Sequence, residues 1–213
     1  MVADILLQVF LILLSVFLYL YMHDIPQKVL AKLRQHRNRA AVEAKRHFII
    51  GAQMLSEARS PSNSGSSAIS LAKKAEEEAT KSITLDPKDA ASHILKALAL
   101  DLQGFKTSAL DSLDVALSPL AVKSLSEKEK GDALFKRAEL VMGMNKRERV
   151  DLAIEDLTQA VNLNQENSNA FRLLGECYEA KKMEEEAKSA YEEALKLRPE
   201  LASAREALER LGS

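Results

Sequence analysis

The chain has 213 residues, 30 basic and 31 acidic side chains, and a formal net charge of −1. This length is enough for one or two compact domains, and a hydrophobic content of 46% is ordinary for a folded protein. With one cysteine, the chain has no intrachain disulfide and no cluster of thiolate metal ligands.

The first predicted element is an apolar helix at the N-terminus. From Ile5 to Met22 only Gln8 and Ser15 are clearly polar, and at about 1.5 Å per residue such a helix extends roughly 27 Å, close to the hydrocarbon thickness of a bilayer. Residues 1–23 are therefore predicted to form a transmembrane signal anchor. The alternatives are a cleavable signal peptide and a buried core helix, but the segment lacks a basic n-region, a small-residue cleavage site and a polar stripe.

A basic juxtamembrane segment, residues 24–43, follows the anchor and predicts its orientation. The bases nearest to the anchor are Lys28, Lys32, Arg34, Arg37 and Arg39. Because basic residues remain on the cytosolic side, we expect a single-pass membrane protein with its C-terminal domain in the cytosol. The bases either only fix this topology or also contact anionic lipid headgroups. The hydrophobicity of the anchor favours the endoplasmic reticulum over the mitochondrial or plastid outer membrane.

The body of the chain is acidic, with 23 basic and 28 acidic residues from residue 50 onward. No aromatic side chains are interleaved with the bases of the juxtamembrane segment, so no nucleic-acid partner is expected.

A period of 34 residues runs through this body: Ala75 and Ala109 are 34 residues apart, as are Ala153 and Ala187. Three positions recur at the same spacing in each segment. The first and third hold small side chains, and the second holds a small or a large one. The four sets are Ala75, Ala79 and Ser82; Ala109, Leu113 and Ala116; Ala153, Leu157 and Ala160; and Ala187, Tyr191 and Ala194. Such a period is typical of stacked supersecondary units, each of which cannot bury its apolar face alone.

The stretch "NAFRLLGECYEAKKMEEEAKSAYEEALKLRPE" resembles a tetratricopeptide (TPR) repeat, with Leu174-Gly175, Tyr178, Tyr191 and Pro199 at signature places of that family. The other repeats keep mainly the pattern of the second helix. The resemblance implies an all-α solenoid of TPR-like helical hairpins, preceded here by the transmembrane helix. Gly175 is small because the first helix of a hairpin must approach its neighbour closely.

We predict TPR-like repeats over residues 44–201, with units at about 44–88, 90–121, 131–166 and 168–201, followed by a capping helix over 202–213. A Ser/Pro/Gly-rich stretch, residues 59–68, interrupts the first unit. It is predicted to be a mobile loop, and its serines are weak candidates for phosphorylation.

No catalytic, metal-binding or cofactor-binding constellation is expected. The four histidines are scattered, and Cys177 falls in the middle of a predicted helix, where a packed core thiol is the simplest interpretation. The protein is therefore predicted not to be an enzyme and to need no cofactor.

The resemblance implies that the first helices of successive units line a concave groove for a protein or peptide partner. The predicted groove residues are Ile94, Leu98, Asp101, Phe135, Lys136, Glu139, Asn169, Arg172, Glu176 and Glu179. Some TPR proteins bind acidic chaperone tails through a clamp of basic and amide side chains. At the matching positions this chain has Phe48, Ala52, Leu95, Asp132 and Lys136, of which Lys136 alone fits, so an apolar or basic ligand is favoured over an acidic one.

These expectations lead to one main functional hypothesis, a membrane-anchored scaffold or adaptor whose cytosolic groove binds a protein or peptide. The alternative is a targeting or protein-import receptor on an organelle surface, which shares the layout of an anchor followed by a solenoid.

Overall fold

The computed structural model describes residues 2–22, 25–144 and 149–212, and within these ranges the chain is all-α, as predicted. The α-helices are α1 (Val2–Met22), α2 (Ile25–Ala58), α3 (Ser66–Leu85), α4 (Ala90–Leu102), α5 (Lys106–Ala116), α6 (Glu127–Gly143), α7 (Val150–Leu163), α8 (Ser168–Ala180), α9 (Glu184–Leu197) and α10 (Ala202–Gly212). A short 3-10 helix, Val122–Ser124, lies between α5 and α6.

The chain divides into two units, Met1–Glu43 and Ala44–Ser213. In the first unit, α1 exposes every side chain from Ile5 to Met22, and it is the one helix of the described residues that is long and apolar enough to cross a membrane. Its length and composition fit a single-pass anchor or a signal sequence. The side chains of Lys28 and Arg37, two of the predicted lipid contacts, lie outside the described residues.

The second unit consists of helical hairpins that follow one another along the chain. The part of α2 from Ala44 onward packs on α3, and the pairs α4 and α5, α6 and α7, and α8 and α9 form the next hairpins, with α10 packed on α9. The turns after α4 and after α8 each contain a residue with a left-handed backbone conformation. This residue is Gly104, at φ 88°, in the first turn and Lys182, at φ 62°, in the second. Residues 59–65 make the loop of the first hairpin, which is longer than these two turns. The predicted loop of 59–68 was three residues too long, because α3 begins at Ser66, directly after its N-cap residue Gly65.

The periodic small residues form the centre of the hairpins. None of the twelve side chains identified by their spacing is more than 1% exposed. Alanine at these places lets the second helix of each hairpin approach its neighbours closely, while Leu113, Leu157 and Tyr191 fill the space between them.

Two buried hydroxyls connect the first two hairpins. Ser82 Oγ donates to the carbonyl oxygen of Ala44, 2.8 Å away, and lies 2.8 Å from Ser92 Oγ. Ser92 is the third residue of α4, and its backbone N–H donates to the side chain of the N-cap residue Asp89. These contacts link α2, α3 and α4 through polar atoms in the small-residue core.

Helix α6 begins at Glu127, four residues before the predicted unit boundary at 131. Ser126 and Glu129 form a capping box, in which the Ser126 side chain accepts from the Glu129 backbone and the Glu129 carboxylate accepts from the Ser126 backbone. Hydrogen bonds from Ser126 lower the pKa of Glu129 below its ordinary value, so this carboxylate is ionised at neutral pH.

Charged side chains also connect neighbouring helices. Arg137 on α6 donates twice to Asp156 on α7, at 2.7 and 2.6 Å, and once to Asp114 on α5, at 3.0 Å. In the first hairpin, hydrogen bonds from Lys81 and from His47 lower the pKa of Glu78.

The two helices of the last hairpin approach each other closely at Gly175. An added Cβ at Gly175 would lie 2.6 Å from Cε1 of Tyr191, which confirms the close helix approach predicted there. Cys177 on the same helix is fully buried, and burial raises the pKa of its thiol to about 12. Cys177 is therefore a core side chain, as expected.

Candidate functional site

A cavity of the repeat unit lies on the first helices of successive hairpins. It has a volume of about 690 Å³ and is lined from α2, α4, α6 and the start of α8. Four half-buried side chains form its apolar floor: Phe48 from α2, Ile94 and Leu98 from α4, and Phe135 from α6. A cavity of this size, open on one side and lined by large apolar groups, has room for several side chains of a peptide.

Five of the predicted groove residues line this cavity, namely Ile94, Leu98, Phe135, Lys136 and Asn169. They come together because residues on the same face of α4 and α6 repeat at intervals of three to four, and the hairpin repeat places these faces side by side.

Asp101 and Glu139 do not line the cavity, but each forms an ion pair with Lys136, which does. The Lys136 ammonium lies 2.8 Å from Asp101 Oδ2 and 2.7 Å from Glu139 Oε2. Burial of Lys136 lowers the pKa of its ammonium, but the hydrogen bonds to both carboxylates outweigh burial and raise the pKa overall. The lysine is charged, and both of its ion partners belong to the protein itself.

The remaining three predicted residues lie apart from the cavity, on α8. Arg172 forms an ion pair with Glu176 on the same helix. Glu179 accepts hydrogen bonds from Tyr191 Oη on α9 and from Arg210 on α10, both at 3.0 Å. Glu179 therefore connects the last hairpin to the final helix.

All five positions that correspond to the carboxylate clamp line the cavity: Phe48, Ala52, Leu95, Asp132 and Lys136. Three of these side chains are apolar, one is a carboxylate, and the lysine is already paired. The place where a clamp would hold an acidic tail is thus an apolar surface with a negative charge.

Sequence reasoning missed several wall residues at the ends of helices, among them Arg59, Leu125, Glu129 and Asn167. Leu125 follows the 3-10 helix, in a stretch interpreted only as a link between units. The Ser126-x-x-Glu129 pattern was the available signal, since a capping box places the start of α6 beside this link.

Among the residues that the structure describes, no group of three or more histidine, cysteine or acidic side chains is arranged to hold a metal ion.

Comparison with known proteins agrees with this geometry. The family model of the tetratricopeptide repeat matches residues 168–201. These residues are similar to a TPR repeat, and the chain has the fold of a TPR-like solenoid. No curated protein matches the sequence.

Solved structures with the same fold have low sequence identity to the chain. MamA (41-end) from Desulfovibrio magneticus RS-1 superposes with a TM-score of 0.63 at 18% identity, covering 80% of this chain and 84% of that one. YrrB, titled a TPR protein with an unusual peptide-binding site, gives 0.56 at 21% identity, covering 68% and 70%. The first TPR of Spaghetti (RPAP3), bound to the HSP90 peptide SRMEEVD, gives 0.51 at 23% identity, covering 60% and 93%.

Proposed function

We propose that this protein is a membrane-anchored interaction scaffold whose repeat unit binds a protein or peptide partner in the cavity on α2, α4 and α6. The observation that supports this most directly is the apolar floor of Phe48, Ile94, Leu98 and Phe135, which stays accessible in the folded protein. Apolar side chains held at a concave surface favour partner binding because a partner removes them from water.

The proposed anchor is α1, whose apolar side chains from Ile5 to Met22 are all exposed. The bases after it favour a cytosolic repeat unit, and a tethered scaffold meets membrane-bound partners at an effective concentration of up to about millimolar. The described lipid-contact candidates Lys32, Arg34 and Arg39 are exposed, which suits anionic headgroups.

The anchor is tested by expressing the full chain and a variant without residues 1–23, followed by carbonate extraction of membranes. We expect the full chain to stay in the membrane pellet and the variant to be soluble. Mass spectrometry of the mature N-terminus separates an anchor from a signal sequence, since loss of α1 from the mature chain would contradict anchoring. Reticular fluorescence is expected, and mitochondrial or plastid labelling would contradict the endoplasmic reticulum.

The cavity is tested with a photo-crosslinking phenylalanine analogue at Phe135, in the full chain in cells. The matched control is Phe105, which is 57% exposed in the turn after α4 and lies outside the cavity. We expect discrete crosslinked partners from position 135 that are absent from position 105. Equal crosslinking at both positions would contradict a partner in the cavity.

A further inference from the structure

The chemistry of the cavity indicates which kind of peptide it takes, an inference that rests on the proposed function. Its floor has no polar atoms to pair with a peptide backbone: Phe48, Ile94, Leu98 and Phe135 offer apolar side chains from three successive helices. An occupant must therefore bring apolar side chains of its own to bury against this floor.

The lysine in the cavity is not available to an acidic ligand. Lys136 is 20% exposed and is held between Asp101 at 2.8 Å and Glu139 at 2.7 Å. An incoming carboxylate would have to displace one of these partners and would meet the other at close range. Lys136 therefore contributes no net attraction for an acidic peptide.

Asp132, in contrast, is positioned as an open acceptor. Its Oδ1 accepts from the side-chain amides of Asn164, at 2.7 Å, and Asn167, at 3.3 Å. Its Oδ2 has no hydrogen-bond donor among the residues that the structure describes. Two donors on one oxygen hold the carboxylate in place, and the exposed side chain leaves the other oxygen for a ligand.

A second carboxylate lies on the same wall. Glu129 is one helical turn before Asp132 on α6, and its Oε2 is held by the backbone and hydroxyl of Ser126, at 2.8 and 2.7 Å. Arg59, which follows α2, lies on the other side of the floor and has no ion partner among the residues that the structure describes. The α6 wall is therefore negative where it meets the apolar floor.

We propose that the cavity binds an apolar peptide segment carrying a lysine or arginine, whose cation pairs with Asp132 and Glu129 while its apolar side chains cover Phe48, Ile94 and Phe135. The charge of the wall sets the orientation of the segment, and the floor supplies the buried area.

The test uses the full chain in nanodiscs of neutral phosphatidylcholine and a phage library of random twelve-residue peptides, with empty nanodiscs to remove lipid binders. We expect enriched peptides to combine two or more large apolar residues with a lysine or arginine. The affinity of one enriched peptide, and of its copy with glutamine in place of the base, is then measured by fluorescence anisotropy at low ionic strength.

Asp132→Asn is the decisive variant, because asparagine keeps a carbonyl oxygen for Asn164 and Asn167. We expect it to weaken the basic peptide about tenfold, as for the loss of one charge-assisted hydrogen bond, and to leave the glutamine copy unchanged. Asp151→Asn removes a carboxylate that pairs with Lys181 away from the cavity, and it is expected to change neither affinity. Far-UV circular dichroism checks that both variants stay folded.

The remaining outcomes overturn the proposal in distinguishable ways. Enrichment of acidic peptides, or equal loss of both peptide copies on Asp132→Asn, would refute the basic segment but leave the cavity a peptide site. Enrichment of no peptide, with binding of a labelled fatty acid instead, would refute both the segment and the proposed function.

Discussion

The substitution Gly175→Ala should destabilise the last hairpin although alanine is the better helix former. An added Cβ would lie 2.6, 2.8 and 2.9 Å from three ring carbons of Tyr191, whereas carbon atoms in contact are normally roughly 3.5 Å or more apart. The tyrosine has little freedom to move, because it is 1% exposed and its hydroxyl donates to Glu179 at 3.0 Å.

The size of the effect follows from two opposing contributions. Replacing a helical glycine by alanine stabilises by about 1 kcal/mol, while forcing an extra carbon into a filled core costs about 1 to 3 kcal/mol, occasionally more. Because the ring is held at both its face and its hydroxyl, we expect the steric cost to exceed the helix gain. The free energy of unfolding should therefore fall, by up to about 2 kcal/mol.

The matched control is Gly143→Ala at the end of α6. There, among the residues that the structure describes, an added Cβ would meet the Lys106 ammonium at 3.2 Å, the far end of a flexible side chain. This variant should keep most of the helix gain and be stabilised by about 0.5 to 1 kcal/mol. Urea titration of the full chain in nanodiscs, followed by far-UV circular dichroism, measures both changes.

A Gly175→Ala variant as stable as the wild type, beside a Gly143→Ala variant that gains stability, would contradict a steric clash with Tyr191. An equal loss in both variants would also contradict it, since the loss would then not come from the tyrosine ring. Adding Tyr191→Leu to Gly175→Ala should recover part of the steric cost, because the double variant has space for the new carbon.

Three further predictions concern charged and reactive side chains. Asp156→Asn should lower the free energy of unfolding by about 2 to 3 kcal/mol, because it leaves the half-buried Arg137 without its main partner. Asp114→Asn removes the exposed partner of Arg137 and should lower the free energy of unfolding by less than about 1 kcal/mol. Urea titration measures the stability of both variants. The buried Cys177 should not react with iodoacetamide at pH 8 until urea unfolds the chain, and rapid alkylation of folded protein, detected by mass spectrometry, would contradict its packing. Because the pKa of Glu78 is lowered in the folded state, its charge stabilises the fold at pH values above the ordinary pKa of 4.5, and this contribution is lost as the pH falls through the lower folded pKa. The stability difference between wild type and Glu78→Gln should therefore shrink below about pH 4.5. A stability difference that grows there would refute the pairing.

The sequence was sufficient to predict the hairpins because their signal is local and repeated. Ala109, Leu113 and Ala116 recur as Ala187, Tyr191 and Ala194, and close packing permits few other side chains at these positions. The same spacing predicted the apolar floor, since Ile94 and Leu98 share one face of α4.

The charges of the cavity were harder to predict, because their partners come from distant parts of the chain. Lys136 pairs with Asp101, 35 residues earlier, and Asp132 is held by Asn164, 32 residues later. Helical spacing places each residue on a face but does not say which long side chains meet across hairpins. Glu179 was assigned to the groove on its face alone, and its hydrogen bond with Arg210 on the last helix was not predicted.

The seven residues 59–65 between α2 and α3 give the first hairpin a long loop, and we expect this hairpin to form later than the last one. The last hairpin closes over the three residues 181–183, and short closures form early because they cost little chain entropy. The first hairpin, with the longer closure, is the natural site of local opening, and it carries Phe48. A bound partner that covers Phe48 would thus hold this hairpin shut, so hydrogen exchange in α2 and α3 should slow on binding more than exchange in α8 and α9.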